Sequence, residues 1–422
     1  MLKQIEGSEA VAEAVALCRP EVVCAYPITP QTHIVEGVGK RVKNGSLENC
    51  EFINVESEFA ALSVAIGASA AGARSYTATA SQGLLYMAEA VYNAAGLGLP
   101  IVMTIGNRAI GAPINIWNDH TDSMSMRDSG WIQLFAETNQ EALDLHIQAF
   151  RLAEELSCPV MVCMDGFILT HAFERVDMPS QQDVDAYLPP YDPVQVLDPD
   201  DPYSIGAMVG PEAFTEVRYL ANDKQLQALK LIPEISNVFK EVFGRDTGGL
   251  IHPYHTEDAE TIVVALGSVN GTIKEVVDVM REDGMAIGSL GICSFRPFPQ
   301  EAIRKALKKA KRIVVLEKSM APGMGGIVAS NVRMALSDLP TPVHTVIAGL
   351  GGRPITMVSL REVFEVAFED RLPEVQFLDI DHAAVEHEIV RARGTRRSGP
   401  TAESILRRKA AGAAQSVGGE KI

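Results

Sequence analysis

Along residues 1–172, short runs of β-branched residues alternate with longer amphipathic or small-residue runs, the pattern of a parallel sheet wrapped by helices. Glu21–Tyr26 (EVVCAY) reads as a strand stopped by Pro-Ile-Thr-Pro, and Gln31–Val42 as the helix that follows. Asn49–Val55 is a second strand, and Ser57–Ala71, almost wholly Ala, Ser, Gly and aliphatic after its first turn, a helix buried all round. Ser75–Thr79 is a third strand, closed by Ala-Ser-Gln-Gly and followed by a helix over Leu84–Ala95. Leu99–Ile105 (LPIVMTI) is apolar on both faces, as a central parallel strand must be. Glu141–Leu156 is a helix and Pro159–Met164 a strand.

Between them, Gly106–Asp128 is polar and too long for an ordinary connection, and loops of that length usually carry function. From 173 to 256 the alternation breaks into Pro- and Asp-rich text with one helix near Lys224–Phe243, which reads as a connecting segment. A second α/β unit spans 257–380, with strands TIVVALG, MAIGSLGI, RIVVLEK and VHTVIAG and helices over Gly271–Glu282, Pro299–Ala310 and Gly325–Leu336. The remainder, 381–422, becomes rich in Arg, Gly, Ser and Ala, and reads as a basic, disordered tail on an acidic body.

Composition narrows the function classes. With 54 acidic and 37 basic side chains the net charge is −17, so nucleic acid is an improbable partner, because phosphate binding needs a basic face. No apolar run reaches the ~18 residues a membrane span requires, and the opening residues lack a signal-peptide core, so a cytoplasmic location is expected. Most of the six cysteines sit in apolar text and they include no Cys-x-x-Cys, so they read as structural thiols, with neither an iron–sulfur motif nor a zinc ribbon. Nor is a metal site expected: His252 and His255 lie three apart in the connecting segment and read as surface residues. Gly323-Met-Gly325-Gly326 precedes a helix but lacks a phosphate-loop Lys-Ser/Thr, so a packing turn is the favoured reading.

Three features carry candidate chemistry. Tyr26-Pro27-Ile28-Thr29-Pro30 follows the first strand, and in open α/β sheets ligands bind at the carboxyl ends of strands, so a hydroxyl fixed between two prolines is well placed. A rigid strand-to-helix turn explains it equally well. In Asn54-Val-Glu56-Ser57-Glu58, Ser57 is a fair N-cap and an acid in the first turn suits the helix dipole. Yet Glu58 leads into an apolar helix, and a carboxylate at a low-dielectric interface is what general acid/base work exploits. Arg108, directly after the apolar strand, suits bidentate binding of a small carboxylate, against the plain alternative of a surface ion pair.

Together these segments resemble the α subunit of the thiamine-diphosphate-dependent 2-oxoacid:acceptor oxidoreductases, the pyruvate:ferredoxin oxidoreductase family. The resemblance rests on AYPITPQTHIVE, NVESEFAALSVAIGASAAGARSYTATASQGL, LPIVMTIGNRAIGAPINIWNDHTDSMSMRDSGW, MDGFILTH, VVALGSVNGTIKEVVD, CSFRPFP and VIAGLGGR, and spans Gly7 to Leu378. It implies a pyrimidine-binding-type parallel-sheet domain plus a transketolase C-terminal-like α/β domain. Glu58 would hydrogen-bond the cofactor's aminopyrimidine, Thr29 with Pro30 would flank cofactor and substrate, and Arg108 would bind the substrate carboxylate.

The chain has no Gly-Asp-Gly diphosphate motif. The resemblance therefore implies that a β subunit completes the thiamine diphosphate site with Mg²⁺. It further implies γ and ferredoxin-like δ subunits carrying [4Fe–4S] clusters, and a further flavin subunit using FAD and NAD(H) in some members. The implied reaction is oxidative decarboxylation of a 2-oxoacid with coenzyme A. Within the family the likeness points first to phenylglyoxylate dehydrogenase (acylating), making benzoyl-CoA, with pyruvate or a branched-chain 2-oxoacid as the alternative. Two other readings are a non-catalytic assembly subunit and a self-sufficient transketolase-like enzyme.

Overall fold

The computed structural model describes residues 1–394 and 399–418. Its first sheet has seven strands in the order Ser294–Arg296, Ile132–Phe135, Val160–Asp165, Val102–Asn107, Ser75–Thr79, Val22–Ala25, Glu51–Asn54. All pair in parallel except Ser294–Arg296, which runs antiparallel along Ile132–Phe135. The second sheet runs Val375–Phe377, Val343–Ile347, Arg312–Glu317, Thr261–Ala265, Ile287–Ile292, Ile251–Tyr254, parallel except for the last strand. The expected α/β class with two parallel-sheet units is therefore the observed one.

The strands with both faces covered, Val102–Asn107 and Val160–Asp165, are buried at every position, as their predominantly apolar text requires. One core fills the outer face of the first sheet, under the helices Gly7–Leu17, Thr32–Lys43 and Asn139–Leu156. A second core belongs to both units: Met103, Ile105, Phe135 and Met161 pack into one cluster with Ile262, Leu290, Phe295 and Ile313. An interface built like a domain core holds the units as one body, whereas a polar interface would let them move. A third cluster covers the far face of the second sheet.

The segment 173–256 is more structured than its Pro/Asp text suggests. Phe173–Asp177 pairs antiparallel with Leu2–Glu6, and the helix Phe214–Phe243, ten residues longer at its start than the periodicity predicts, buries Ala228, Ile232, Ile235 and Phe239 in the first core. Ile251–Tyr254 is the edge strand of the second sheet. Partners far away in sequence order these residues, so local composition underestimates them. The tail expected to be disordered contains helical segments. Helices span His382–Gly394 and Thr401–Gly418, rich in Ala, Arg and Glu, with Glu388 bridging Arg391 and Ser404 and Glu403 paired to Arg407. Residues 395–398 and 419–422 lie outside the described residues.

Between the units, His252 is wedged against two carboxylates of the first, 3.3 Å from both Glu137 and Glu141, while Lys274 reaches Glu137 at 2.6 Å. It is not the surface residue its sequence position suggests. Burial disfavours the imidazolium, but the two glutamates outweigh it and push the pKa up to about 9. A raised folded-state pKa means stability present in full below the unfolded value near 6.5 and lost as pH rises through about 9. The stability advantage of the wild type over His252→Gln is therefore expected to shrink by roughly 2–3 kcal/mol between pH 6.5 and 9.5. Denaturant melts of both chains across that range measure it, and a pH-independent difference would refute the assignment.

Candidate active site

The sequence-predicted residues gather at the carboxyl edge of the first sheet, on three of four adjacent strand ends. Arg108 follows Val102–Asn107, the Ser81-Gln82-Gly83 turn follows Ser75–Thr79, Thr29 follows Val22–Ala25, and Glu58 follows Glu51–Asn54. The reason is topological: in a parallel sheet every strand delivers its next loop to the same side.

Ser57 caps the helix Glu58–Ala70 as expected, accepting the Ala60 N–H at 3.2 Å. Glu58 is 8% exposed, and no described residue gives its carboxylate a hydrogen bond. Gly83 makes room for it: a Cβ there would sit 2.7 Å from Glu58 Oε1 and 2.6 Å from Thr79 Oγ1, a buried hydroxyl that itself finds no partner. Thus two polar side chains converge beside a bare backbone, each with hydrogen-bonding capacity unused. The helix is not buried all round, since Phe59, Ser63 and Gly67 leave one face exposed. Its residues are too uniformly small and apolar for periodicity to reveal which face meets the sheet.

Arg108 is 6% exposed and is no surface ion pair. Its Nη1 donates to the Thr29 carbonyl at 2.9 Å and its Nε to the Asn115 carbonyl at 3.0 Å. The structure thus joins Thr29 and Arg108 directly. Thr29 is exposed, while Pro30 is buried beneath it against Gly106 and Gly166. With two guanidinium donors spent on backbone carbonyls, the Nη2 edge keeps its N–H groups for an anion.

Sequence reasoning missed the residue that organises this edge. Asp122, fully buried, accepts the backbone N–H groups of Ser81, Arg108 and Ser123 and the Asn107 amide, all within 2.8–2.9 Å. Burial pushes its pKa up to about 6 against those four donors. It ties the ends of two neighbouring strands and so fixes where Arg108 begins. Nothing in Thr-Asp-Ser-Met distinguishes this aspartate from a helix-start acid.

The long loop is held from the second unit. Asn115 Nδ2 donates to the Gly351 carbonyl at 3.1 Å, Asp119 accepts the Gly351 N–H at 3.0 Å, and the His120 N–H reaches the Lys318 carbonyl at 2.8 Å. Gly352, at φ +79°, lies so close under Trp117 that a Cβ would come within 2.4 Å of it. Beneath the loop Asp165 binds His120 at 2.6 Å, Lys318 at 2.8 Å and the Ser268 backbone N–H at 3.0 Å, with Asp165, His120 and Lys318 all buried. Burial alone would raise the Asp165 pKa, but Lys318 and His120 hold it well below the carboxylate range.

The glycine-rich turn before Ile327–Ala335 proves to be a packing turn. Its helix N-terminus is filled by Glu317, which accepts the N–H groups of Ile327, Val328 and Ala329. The cysteines are free and mostly buried; desolvation pushes the Cys24 thiol, for example, up to about 11. Among the described residues no helix is long and apolar enough to cross a membrane.

Comparisons with known proteins identify the family. The family described as "Pyruvate flavodoxin/ferredoxin oxidoreductase, thiamine diP-bdg" matches residues 13–237, and "Pyruvate:ferredoxin oxidoreductase core domain II" matches residues 259–360. Pyruvate synthase subunit PorA of Methanosarcina barkeri is 48% identical over 385 residues, covering 89% of this chain and 96% of that protein. Ketoisovalerate oxidoreductase subunit VorA of Pyrococcus abyssi is 40% identical, over 86% of this chain and 92% of its own length. In fold, the chain is similar to the 2-oxoglutarate:ferredoxin oxidoreductase from Magnetococcus marinus, with TM-score 0.65 at 18% identity, covering 86% of this chain and 65% of that one. A split-gene transketolase gives TM-score 0.51 at 15% identity, over 87% of this chain and 99% of that one.

Proposed function

This chain belongs to the pyruvate:ferredoxin oxidoreductase family as an α subunit of a 2-oxoacid:ferredoxin oxidoreductase, and from that premise we propose that it serves the oxidative decarboxylation of pyruvate with coenzyme A. The observation that carries the reading is the convergence, on one sheet edge, of an unpartnered buried carboxylate, Glu58, and a backbone-anchored arginine, Arg108. Pyruvate takes the place of phenylglyoxylate, expected from sequence likeness, because relatives sharing 40–48% identity over nearly the whole chain carry pyruvate or ketoisovalerate in their names.

The residues fit thiamine diphosphate. Glu58 and Thr79 offer unused hydrogen-bonding capacity beside Gly83, where an aminopyrimidine can lie against bare backbone. Bound there, the cofactor supplies the carbon nucleophile and the electron sink for the decarboxylation. Glu58 would accept or share a proton with the ring. Arg108 would neutralise the substrate carboxylate through its Nη2 edge, with the Thr29 and Asn115 carbonyls fixing the guanidinium plane. Thr29, exposed at the strand end, would face the substrate, and buried Pro30 would hold that turn in place.

The rim is apolar and open: Tyr26, Phe59, Tyr86, Ile114 and Trp117 are all substantially exposed. That is the surface a β subunit carrying the diphosphate and Mg²⁺ site would close, with [4Fe–4S] clusters in further γ and δ subunits and a cytoplasmic setting for the assembly.

The test is acyl-CoA formation by the native complex copurified with this chain, supplied with pyruvate, ketoisovalerate and phenylglyoxylate in parallel, with coenzyme A and a viologen dye. The highest kcat/KM is expected with pyruvate; preference for either other acid would overturn the substrate assignment. Arg108→Leu is expected to lower kcat/KM for pyruvate about 10–100-fold, the worth of a charge-assisted hydrogen bond.

A further inference from the structure

We propose that Glu6, His33 and His171 form a binding site for a divalent transition-metal ion of the zinc class, on the surface where the chain's first turn, the helix Thr32–Lys43 and the turn after Val160–Asp165 meet. One ligand atom from each of the three residues lies within 4.8 Å of the other two, so rotamer adjustments suffice to bring them onto one ion. Glu6 Oε1 already contacts His33 Nδ1 at 2.6 Å, and the His33 and His171 rings lie 4.8 Å apart at 36°.

The surroundings favour ligation over a chance surface pair. His171 Nδ1 is hydrogen-bonded to Thr170 Oγ1 at 2.7 Å, which leaves Nε2 as the free ligand atom. Ligating histidines are usually oriented by such a partner on the other ring nitrogen. Thr170 is itself fixed, since its carbonyl takes both the N–H and the hydroxyl of Ser8. Glu6 precedes the helix Gly7–Leu17 but makes no side-chain cap, so its carboxylate is not committed to the helix. The His33 side chain is 47% exposed, which leaves an entry path.

Two imidazoles and one carboxylate select Zn²⁺, Co²⁺, Ni²⁺ or Fe²⁺ over Mg²⁺ or Ca²⁺, which prefer oxygen ligands. Three protein ligands leave a fourth position for water. The ion would brace the turn that carries Phe167, whose ring lies between His171 at 4.8 Å and Trp117 at 4.7 Å. Trp117 belongs to the loop whose Asn115 carbonyl holds Arg108. The site is thus mechanically connected to the loop that holds Arg108.

The experiment is titration of the tag-free full chain with Co²⁺, read by its visible absorption, followed by competition with Zn²⁺. One Co²⁺ per chain, with a ligand-field band that Zn²⁺ displaces, is expected. The band should vanish in His171→Gln and in His33→Gln, while their unfolding midpoints without metal stay at the wild-type value. Should either histidine variant fold poorly, Glu6→Gln tests the same site from another element. No band in the wild type, or a band that persists in the three variants, would overturn the proposal.

Discussion

Replacing Glu58 by Gln in the reconstituted complex is expected to lower turnover about 10²–10⁴-fold, the range for removing a general acid/base group, with assembly intact. The two side chains have the same shape, so the packing against Gly83 and Thr79 survives and only the carboxylate's proton chemistry is lost. As a first-turn acid Glu58 also interacts with the helix dipole, but that is worth no more than about 2 kcal/mol, too little to unfold the chain. Glu56→Gln, two residues away and exposed, supplies the control for a mere change of charge near the site and should leave turnover within about twofold, as surface substitutions usually do. Single-turnover acyl-CoA formation separates the chemical step from product release. Undiminished turnover in Glu58→Gln would remove Glu58 from the mechanism and return the chain to the reading of a non-catalytic assembly subunit.

The second large effect belongs to the cluster beneath the substrate loop. Asp165→Asn is expected to destabilise the full chain by about 3–5 kcal/mol, because it leaves the buried Lys318 ammonium without a counter-charge. Nothing else described offers Lys318 an anion within salt-bridge distance. The loss should be partly reversed in Asp165→Asn/Lys318→Met, since removing both partners leaves no orphaned charge. Denaturant unfolding of the three chains gives the comparison. A loss below about 1 kcal/mol for the single variant would show that solvent reaches the cluster, a surface pair being worth no more than that. Because Lys318 also receives the His120 N–H on its carbonyl, and Asp165 receives Ser268, the same substitution should loosen the loop that presents Asn115 to Arg108. Cleavage by protease within Gly106–Asp128 would report it.

These two predictions differ in how visible their residues are in the amino-acid order. Glu58 stands out because it interrupts an apolar run at a strand-to-helix boundary, a place where carboxylates are conspicuous. Asp165 ends a buried strand in Met-Asp-Gly-Phe and reads as an ordinary turn residue. Its partners lie 45, 103 and 153 residues away, on three different elements. Asp122 is concealed in the same manner, as are the neighbours of His252 and the approach of His33 to His171. The tail and the 173–256 segment mislead in the opposite sense, because their text is that of loops while their order comes from distant contacts or from local helix propensity.

By itself the amino-acid order determined the class of fold, the strands of both sheets that are apolar along their length, and three of the four strand ends at the candidate site, those that carry Thr29, Glu58 and Arg108. Periodicity and strand-end position are local properties, and a parallel topology carries them to one edge without further information. The tertiary structure alone decided that the two units share a core and that the second unit grips the substrate loop. It also decided that Arg108 is anchored by carbonyls instead of a carboxylate, and that Glu58 lies under a glycine with no partner of its own. Those facts depend on which distant groups meet in a low-dielectric interior. There the strength of a hydrogen bond or a charge is set by its neighbours in space, and those neighbours come from every part of the chain.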